Sequence, residues 1–418
     1  MSSTNAQHLP ASFNRLAWSN LAAQSAEQIG LAAAPLVAVL ALGAGVGETG
    51  FLQTAQTLPF LLFALPAGVL ADRMSRRWLM ASAEALRVAS LVAVLALAVS
   101  GALTLPWLAA LGFLGACGTI AFSVAAPALV PALVAPQALA AANGRIELAR
   151  TMAFAGGPAL AGALVGWTGG STVFGLAAAL SMGAVVLLGG LQEPPRMARV
   201  RRHPLHEVRE GAAFVFRHLL LLPVFVTQVV FTIGFFILQA AYVPYAVQRL
   251  GLSAAGVGLT LATYGIGMVA GALLAPRLMR AVPLGGVIVT GPITALAAAL
   301  VMVLTIWLPS GLLAGASFFL LGAGPIIWVI STTTLRQSVT PPELLGRVFA
   351  IFIAGYGARP IGAAIGALVG AHYGAERCLV VAAIVFAVQA LVILTSPLLH
   401  LSRQPAMAGI AVSTERTL

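Results

Sequence analysis

The run Gly68-Val69-Leu70-Ala71-Asp72-Arg73-Met74-Ser75-Arg76-Arg77 ends a long apolar segment abruptly, with Asp72, Arg73, Arg76 and Arg77 crowded into its last turn and a half. An apolar helix leaving the hydrocarbon of a bilayer ends in this way, because arginines are retained in the water on the cytoplasmic side. Working outward from it, the whole chain has the same character. With 60% hydrophobic and 8% charged residues and a mean hydropathy of +1.01, a 418-residue chain has too few polar groups to cover a water-facing surface. The composition therefore specifies an integral membrane protein.

About twelve apolar segments follow one another, each near the ~20 residues that cross ~30 Å of hydrocarbon. Lipid cannot satisfy bare backbone groups, so the segments are expected to be helices, and their Ala and Gly content suits close helix packing. The expected layout is a tail over 1–15, a six-helix bundle over 16–191, a polar linker over 192–218, a second six-helix bundle over 219–400 and a tail over 401–418. In the linker, Glu193-Pro194-Pro195 ends a helix, and Leu205 to Phe216 has the pattern of an amphipathic helix lying at the cytoplasmic surface.

All basic side chains are arginine, and they form short clusters between apolar runs. Orientation in a membrane explains this pattern better than nucleic-acid binding. With both termini cytoplasmic, the arginines outside the spans fall on the cytoplasmic side, against only Arg249 and Arg377 on the other. Met1 to Ser12 lacks the basic start and cleavage site of a signal peptide. The expected location is a cytoplasmic (inner) membrane. Cys117 and Cys378 are too few for a disulfide framework.

The halves repeat. Phe113-Leu114, Gly118 and Ile120 correspond to Phe319-Leu320, Gly324 and Ile326, and Leu129 and Pro136 to Leu335 and Pro342. Arg73 and Arg76 likewise pair with Arg277 and Arg280. Paired helical halves around a central site are a transporter architecture.

Polar residues inside the spans carry the functional argument. Asn20, Gln24 and Glu27 with Gln28 recur at three-to-four-residue spacing, so they share one face of helix 1. A carboxylate at membrane depth is costly and faces a bundle interior or a water-filled cavity. Because desolvation favours the protonated form of a carboxyl, Glu27 reads as a proton carrier or substrate contact, or else as a structural polar contact with neighbouring helices. Glu84 with Arg87, and Glu147 with Arg150, stand three apart, which suits structural ion pairs, with gating as the other reading. Arg359 has no acid nearby in sequence and needs a partner from another helix, an anionic substrate or cytoplasmic water. A substrate cavity between the halves draws its candidates from Asn20, Gln24 and Glu27, from Gln53 and Gln56 in helix 2, from Gln228, Phe235 and Gln239 in helix 7, and from Trp328 and Arg359. No Ser/His/Asp set in loop context appears, and a phosphate-binding glycine loop is impossible without Lys, so enzyme chemistry, cofactors and metals are not expected.

The Gly68 to Arg77 run resembles the loop between helices 2 and 3 of the major facilitator superfamily of secondary transporters, with Ser75 where that signature has Gly. Gly156-Gly157-Pro158-Ala159-Leu160-Ala161-Gly162 in helix 5 resembles the signature of drug–proton antiporters in that superfamily, with Ala161 in place of one Gly; tight packing in any facilitator is the other reading. The arginine that many proton-coupled drug exporters carry early in helix 4 has no counterpart between Leu105 and Val130. Pro66-Ala67-Gly68, Pro127 to Pro131, Arg209-Glu210-Gly211, Leu335-Arg336-Gln337 and Pro341 to Arg347 are together similar to the exporter branch that includes the enterobactin exporter and the macrolide efflux proteins. The resemblance implies the major facilitator fold: all-α, twelve transmembrane helices in two pseudo-symmetric bundles. It also implies a gating role for Asp72, Arg73, Arg76 and Arg77, and proton-coupled export of a bulky amphiphilic molecule, drug-like or siderophore-like, by a monomer. A lysophospholipid or lipid flippase of the same fold is the alternative.

Overall fold

The computed structural model describes residues 10–135, 138–193, 204–341 and 343–402, with the side chains of 64, 65, 68, 69, 71–73, 128, 140 and 204–207 outside the description. The described residues are helical throughout: α1 (Ala11–Leu40), α2 (Val46–Arg73), α3 (Arg76–Val99), α4 (Leu105–Leu133), α5 (Leu139–Thr168), α6 (Gly170–Gly189), α7 (Pro204–Arg217), α8 (Leu221–Gln248), α9 (Ala254–Ala281), α10 (Leu284–Leu304), α11 (Gly311–Val339), α12 (Leu345–Ala354) and α13 (Arg359–Leu394). Ten stretches among them are long and apolar enough to cross a membrane. One of these, Leu345–Leu394, is two helices merged across Gly374, whose φ of 80° only glycine adopts without strain. The 28-residue α2 completes the set of twelve.

The chain divides into two compact units. Unit 1 comprises 1–44, 55–199 and 253–262; unit 2 comprises 45–54, 200–252 and 263–418. Each unit thus takes in a short segment from the other half of the sequence: the start of α2 in unit 2 and the start of α9 in unit 1. In unit 1 the first turns of α9 lie on α5, where a Cβ added to Gly162 would sit 2.4 Å from the Ala254 carbonyl oxygen, and one added to Gly258 would sit 2.4 Å from that of Pro158. Backbone meets backbone there, so nothing flexible can yield. Gly258→Leu is expected to cost roughly 1–3 kcal/mol by overpacking, seen as a lowered thermal-unfolding midpoint; an unchanged midpoint would show that the two helices separate freely. In unit 2 the start of α2 packs in the same manner, with Gly50 against Ala367 of α13 and Thr49 Oγ1 donating to the Ala240 carbonyl at 3.0 Å.

The core of unit 1 joins α1, α3, α4 and α6 through Phe13, Leu16, Met80, Phe122, Leu129 and Leu188. The core of unit 2 includes Leu221, Ile288, Trp328, Leu335, Val348 and Phe352. The amphipathic helix expected in the linker is present as α7, and Val215 on it is fully buried in that same core. Glu210 of α7 pairs with Arg347 at 2.5 Å, so the helix is fastened to the start of α12. The eleventh apolar segment, expected as an uninterrupted helix, is instead broken by a 3-10 turn over Gly355–Ala358.

Equivalent helix starts in the two units are satisfied by different chemistry. In unit 1 the Glu193 carboxylate accepts from the backbone N–H groups of Arg76 at 3.2 Å and Arg77 at 3.1 Å and from the Ser75 hydroxyl, while Arg77 donates to the Leu191 carbonyl at 2.7 Å. The first N–H groups of a helix have no partner within it, and an anion there also meets the positive end of the helix dipole. In unit 2 the Gly285 N–H near the start of α10 is instead taken by the Leu401 carbonyl at 2.8 Å. Glu193→Ala is expected to cost about 1–2 kcal/mol, read as a lower unfolding midpoint; no change would mean that water replaces the cap.

Candidate functional site: a charge cluster inside the first bundle

Glu27 of α1 lies about two turns before Pro35, on the face that also carries Asn20 and Gln24. Arg87 reaches toward that face from α3. Its Nη1 donates to Glu84 Oε1 at 2.6 Å and to the Ala23 carbonyl of α1 at 3.2 Å, and its Nη2 donates to Thr119 Oγ1 of α4 at 2.6 Å. Nη2 also stands 3.8 Å from Glu27 Oε2. The expected Glu84–Arg87 pair is thus present, but Arg87 faces a second acid. The Glu84 side chain is 0% exposed, that of Arg87 6% and that of Glu27 18%. Glu84 Oε2 has no hydrogen-bond partner, and Ser181 of α6 lies beside it outside hydrogen-bond geometry.

This arrangement carries two carboxyls and one guanidinium. A buried charge is tolerated only when paired. Both acids approach the same guanidinium, Glu84 at hydrogen-bond distance and Glu27 at 3.8 Å, and Glu27 is the more exposed of the two. Gly157 of α5 helps to place it, because a Cβ there would come within 2.6 Å of Gln28 Cβ. Gly156, by contrast, has open space where a side chain would stand, so packing requires only Gly157 and Gly162 of the helix 5 glycines.

The other candidates are dispersed. Asn20 and Gln56 are buried in unit 1, each with its amide oxygen unpartnered. Gln24, Gln53 and Gln239 are half-buried. Gln228 donates to the Phe352 carbonyl at 2.7 Å and Trp328 sits in the core of unit 2. Phe235 stacks on Phe231 at 5.8 Å and meets Tyr264 at 5.5 Å. Arg359 lies over the rings of Tyr356 at 5.0 Å and Phe236 at 5.7 Å, an aromatic setting that none of the sequence readings named. Glu147 and Arg150 pair at 2.5 Å near the start of α5, partly exposed. The side chains of Asp72 and Arg73 lie outside the described residues; Arg77 stacks on Trp78 at 4.6 Å. Sequence reasoning missed Thr119 and the second role of Arg87, because only the packing of α4 and α1 on α3 shows them.

A polytopic helical membrane protein with paired bundles and a buried acid–arginine cluster belongs to the class of membrane transporters. Residues 16–367 match the model of the Major Facilitator Superfamily, and the chain belongs to that family. It is 36% identical over 269 residues to an uncharacterized MFS-type transporter, y4rN, of Sinorhizobium fredii, a match covering 59% of this chain and 63% of that one. Among solved structures it is similar to a bacterial homologue of the human lysosomal transporter Spinster in an inward-facing conformation, with a TM-score of 0.71, 14% identity and coverage of 94% of this chain and 98% of that one. It is also similar to the nucleoside transporter NupG, with a TM-score of 0.69, 13% identity and coverage of 92% and 98%. At these identities the likeness establishes the fold alone, and the protein is a multi-pass membrane transporter of this superfamily.

Proposed function

We propose that this transporter is a proton-coupled exporter of a bulky amphiphilic small molecule, working as a monomer by alternating access in the cytoplasmic membrane with both termini inside. The observation that carries the reading is the cluster of Glu27, Glu84 and Arg87, in which two acids share one cation at membrane depth. Protonation of Glu27 weakens its attraction to Arg87 and favours one conformation, while substrate favours the other; coupling needs only that differential affinity. Export is supported by the α5 glycine and proline pattern and by the close approach of Gly162 to Gly258. The arginine distribution supports the orientation. Asp72, Arg73, Arg76 and Arg77 serve the conformational cycle, and Gln53, Gln56, Phe235 and Gln239 contribute to substrate contacts in this reading.

The test is accumulation of amphiphilic drugs and siderophores in efflux-deficient cells carrying the transporter, with and without a protonophore. Lower accumulation that returns to the level of empty cells on adding the protonophore is expected. Accumulation that is unchanged, or that rises above the empty-cell level, would overturn export.

A further inference from the structure

The second bundle contains the opposite electrostatic problem to the first. Arg336, one turn before the end of α11, is only 8% exposed. No Asp or Glu occurs anywhere in α8 to α12 or in α13 before Gly374, so none of those helices can supply it with a counter-charge. Among the described residues it makes no ion pair. Glu210 pairs with Arg347 and Glu376 with Arg249, while Glu343, in the turn between α11 and α12, is exposed and makes no ion pair among the described residues.

The geometry around Arg336 leaves its edge open. Its guanidinium carbon lies 4.3 Å from the centre of the Phe352 ring and 4.9 Å from that of Phe349. Rings hold a guanidinium by its flat face and leave the in-plane N–H rim for other partners. Of five N–H donors, Nε is used by the Thr332 carbonyl at 3.3 Å and Nη2 by Thr333 Oγ1 at 2.7 Å, while among the described residues Nη1 makes no hydrogen bond. Tyr356 of the 3-10 turn carries Arg359 over its ring.

The geometry points to an oxyanion site: Arg336, held in place by Thr333 and the two rings, binds a carboxylate or phosphate group at this end of the second bundle. A fork of parallel N–H donors is the arrangement that recognises such groups. The oxyanion comes either from a soluble molecule or from an anionic lipid headgroup, and the two sources are separable. This site is independent of Glu27, so its failure would leave the proton-coupling proposal standing.

Purified protein in detergent is titrated with inorganic phosphate and, separately, with benzoate at constant ionic strength, and the unfolding midpoint is followed. In parallel, the midpoint is compared in phosphatidylcholine nanodiscs with and without phosphatidylglycerol. Stabilisation that grows with the logarithm of anion concentration is the signature of binding to the folded state. The expected result is such a rise in one arm, with the apparent affinity weakened about tenfold or more in Arg336→Gln. Arg336→Lys keeps the charge without the fork and Thr333→Val removes the hydroxyl that Arg336 Nη2 donates to; both are expected to weaken the response several-fold, and they replace Arg336→Gln if that variant fails to accumulate. A response absent from both arms, or undiminished in all variants that fold, would overturn the site and leave Arg336 as a cation held by stacking alone.

Discussion

Glu27→Gln is expected to abolish proton-driven transport while leaving the folded protein as stable as before, within about 1 kcal/mol. Three charged groups decide this. Arg87 is held by Glu84 at 2.6 Å and stands 3.8 Å from Glu27, so the Glu84–Arg87 pair stays closed when Glu27 is neutral. Glutamine at position 27 mimics the protonated carboxyl permanently and leaves the buried Glu84–Arg87 pair intact, so little folding penalty arises. What is lost is the ability to change state. In inverted membrane vesicles the variant should fail to move substrate in response to a proton gradient, yet it should still exchange labelled for unlabelled substrate, a process with no net proton movement. Wild-type coupling in the variant would remove this acid from the mechanism; loss of exchange as well would make Glu27 a substrate contact rather than a proton site.

Removing the cation has the reverse effect. Arg87→Gln strands Glu84, whose side chain is 0% exposed, beside Glu27 with no positive partner. Breaking a buried pair on one side destabilises by roughly 3–5 kcal/mol, so the variant should accumulate poorly and unfold at a much lower temperature. Removing both partners is a different perturbation, because two amides carry no charge to strand. Arg87→Gln combined with Glu84→Gln is therefore expected to recover most of the lost stability, and the double-mutant cycle measures their coupling directly. Full stability in the single variant would show that water reaches the cluster and that the charges are not held in a low dielectric.

Much of this was legible in the chain itself. The ending of α2 at Asp72 and Arg73, the repeat of Gly118 at Gly324 and the polar interruption from Gln192 to Arg217 led to twelve helices in two halves. Glu84 and Arg87 could be paired by counting residues, because both lie on one helix. Glu27 could be singled out as costly, but not partnered, because Arg87 stands 60 positions away along the chain and meets it only where α1 packs on α3. Arg336 was passed over for the complementary reason. At the end of an apolar run an arginine ordinarily reaches water, and only the stacking of Phe349 and Phe352 from α12 shows that this one is enclosed. Arg359, which drew attention for want of an acid nearby in sequence, lies over the rings of Tyr356 and Phe236.

Composition and periodicity alone determined that this chain spans a membrane as helices and in how many segments, because backbone groups in hydrocarbon have no partner outside their own segment. They also marked the residues that lipid would reject. The tertiary structure decided which of those residues meet: Glu27, Glu84 and Arg87 around a shared charge, Gly162 against Gly258, and Glu193 over the start of α3. Those pairings depend on which helix faces lie against one another, and a spacing of three or four residues specifies a face without naming its neighbour.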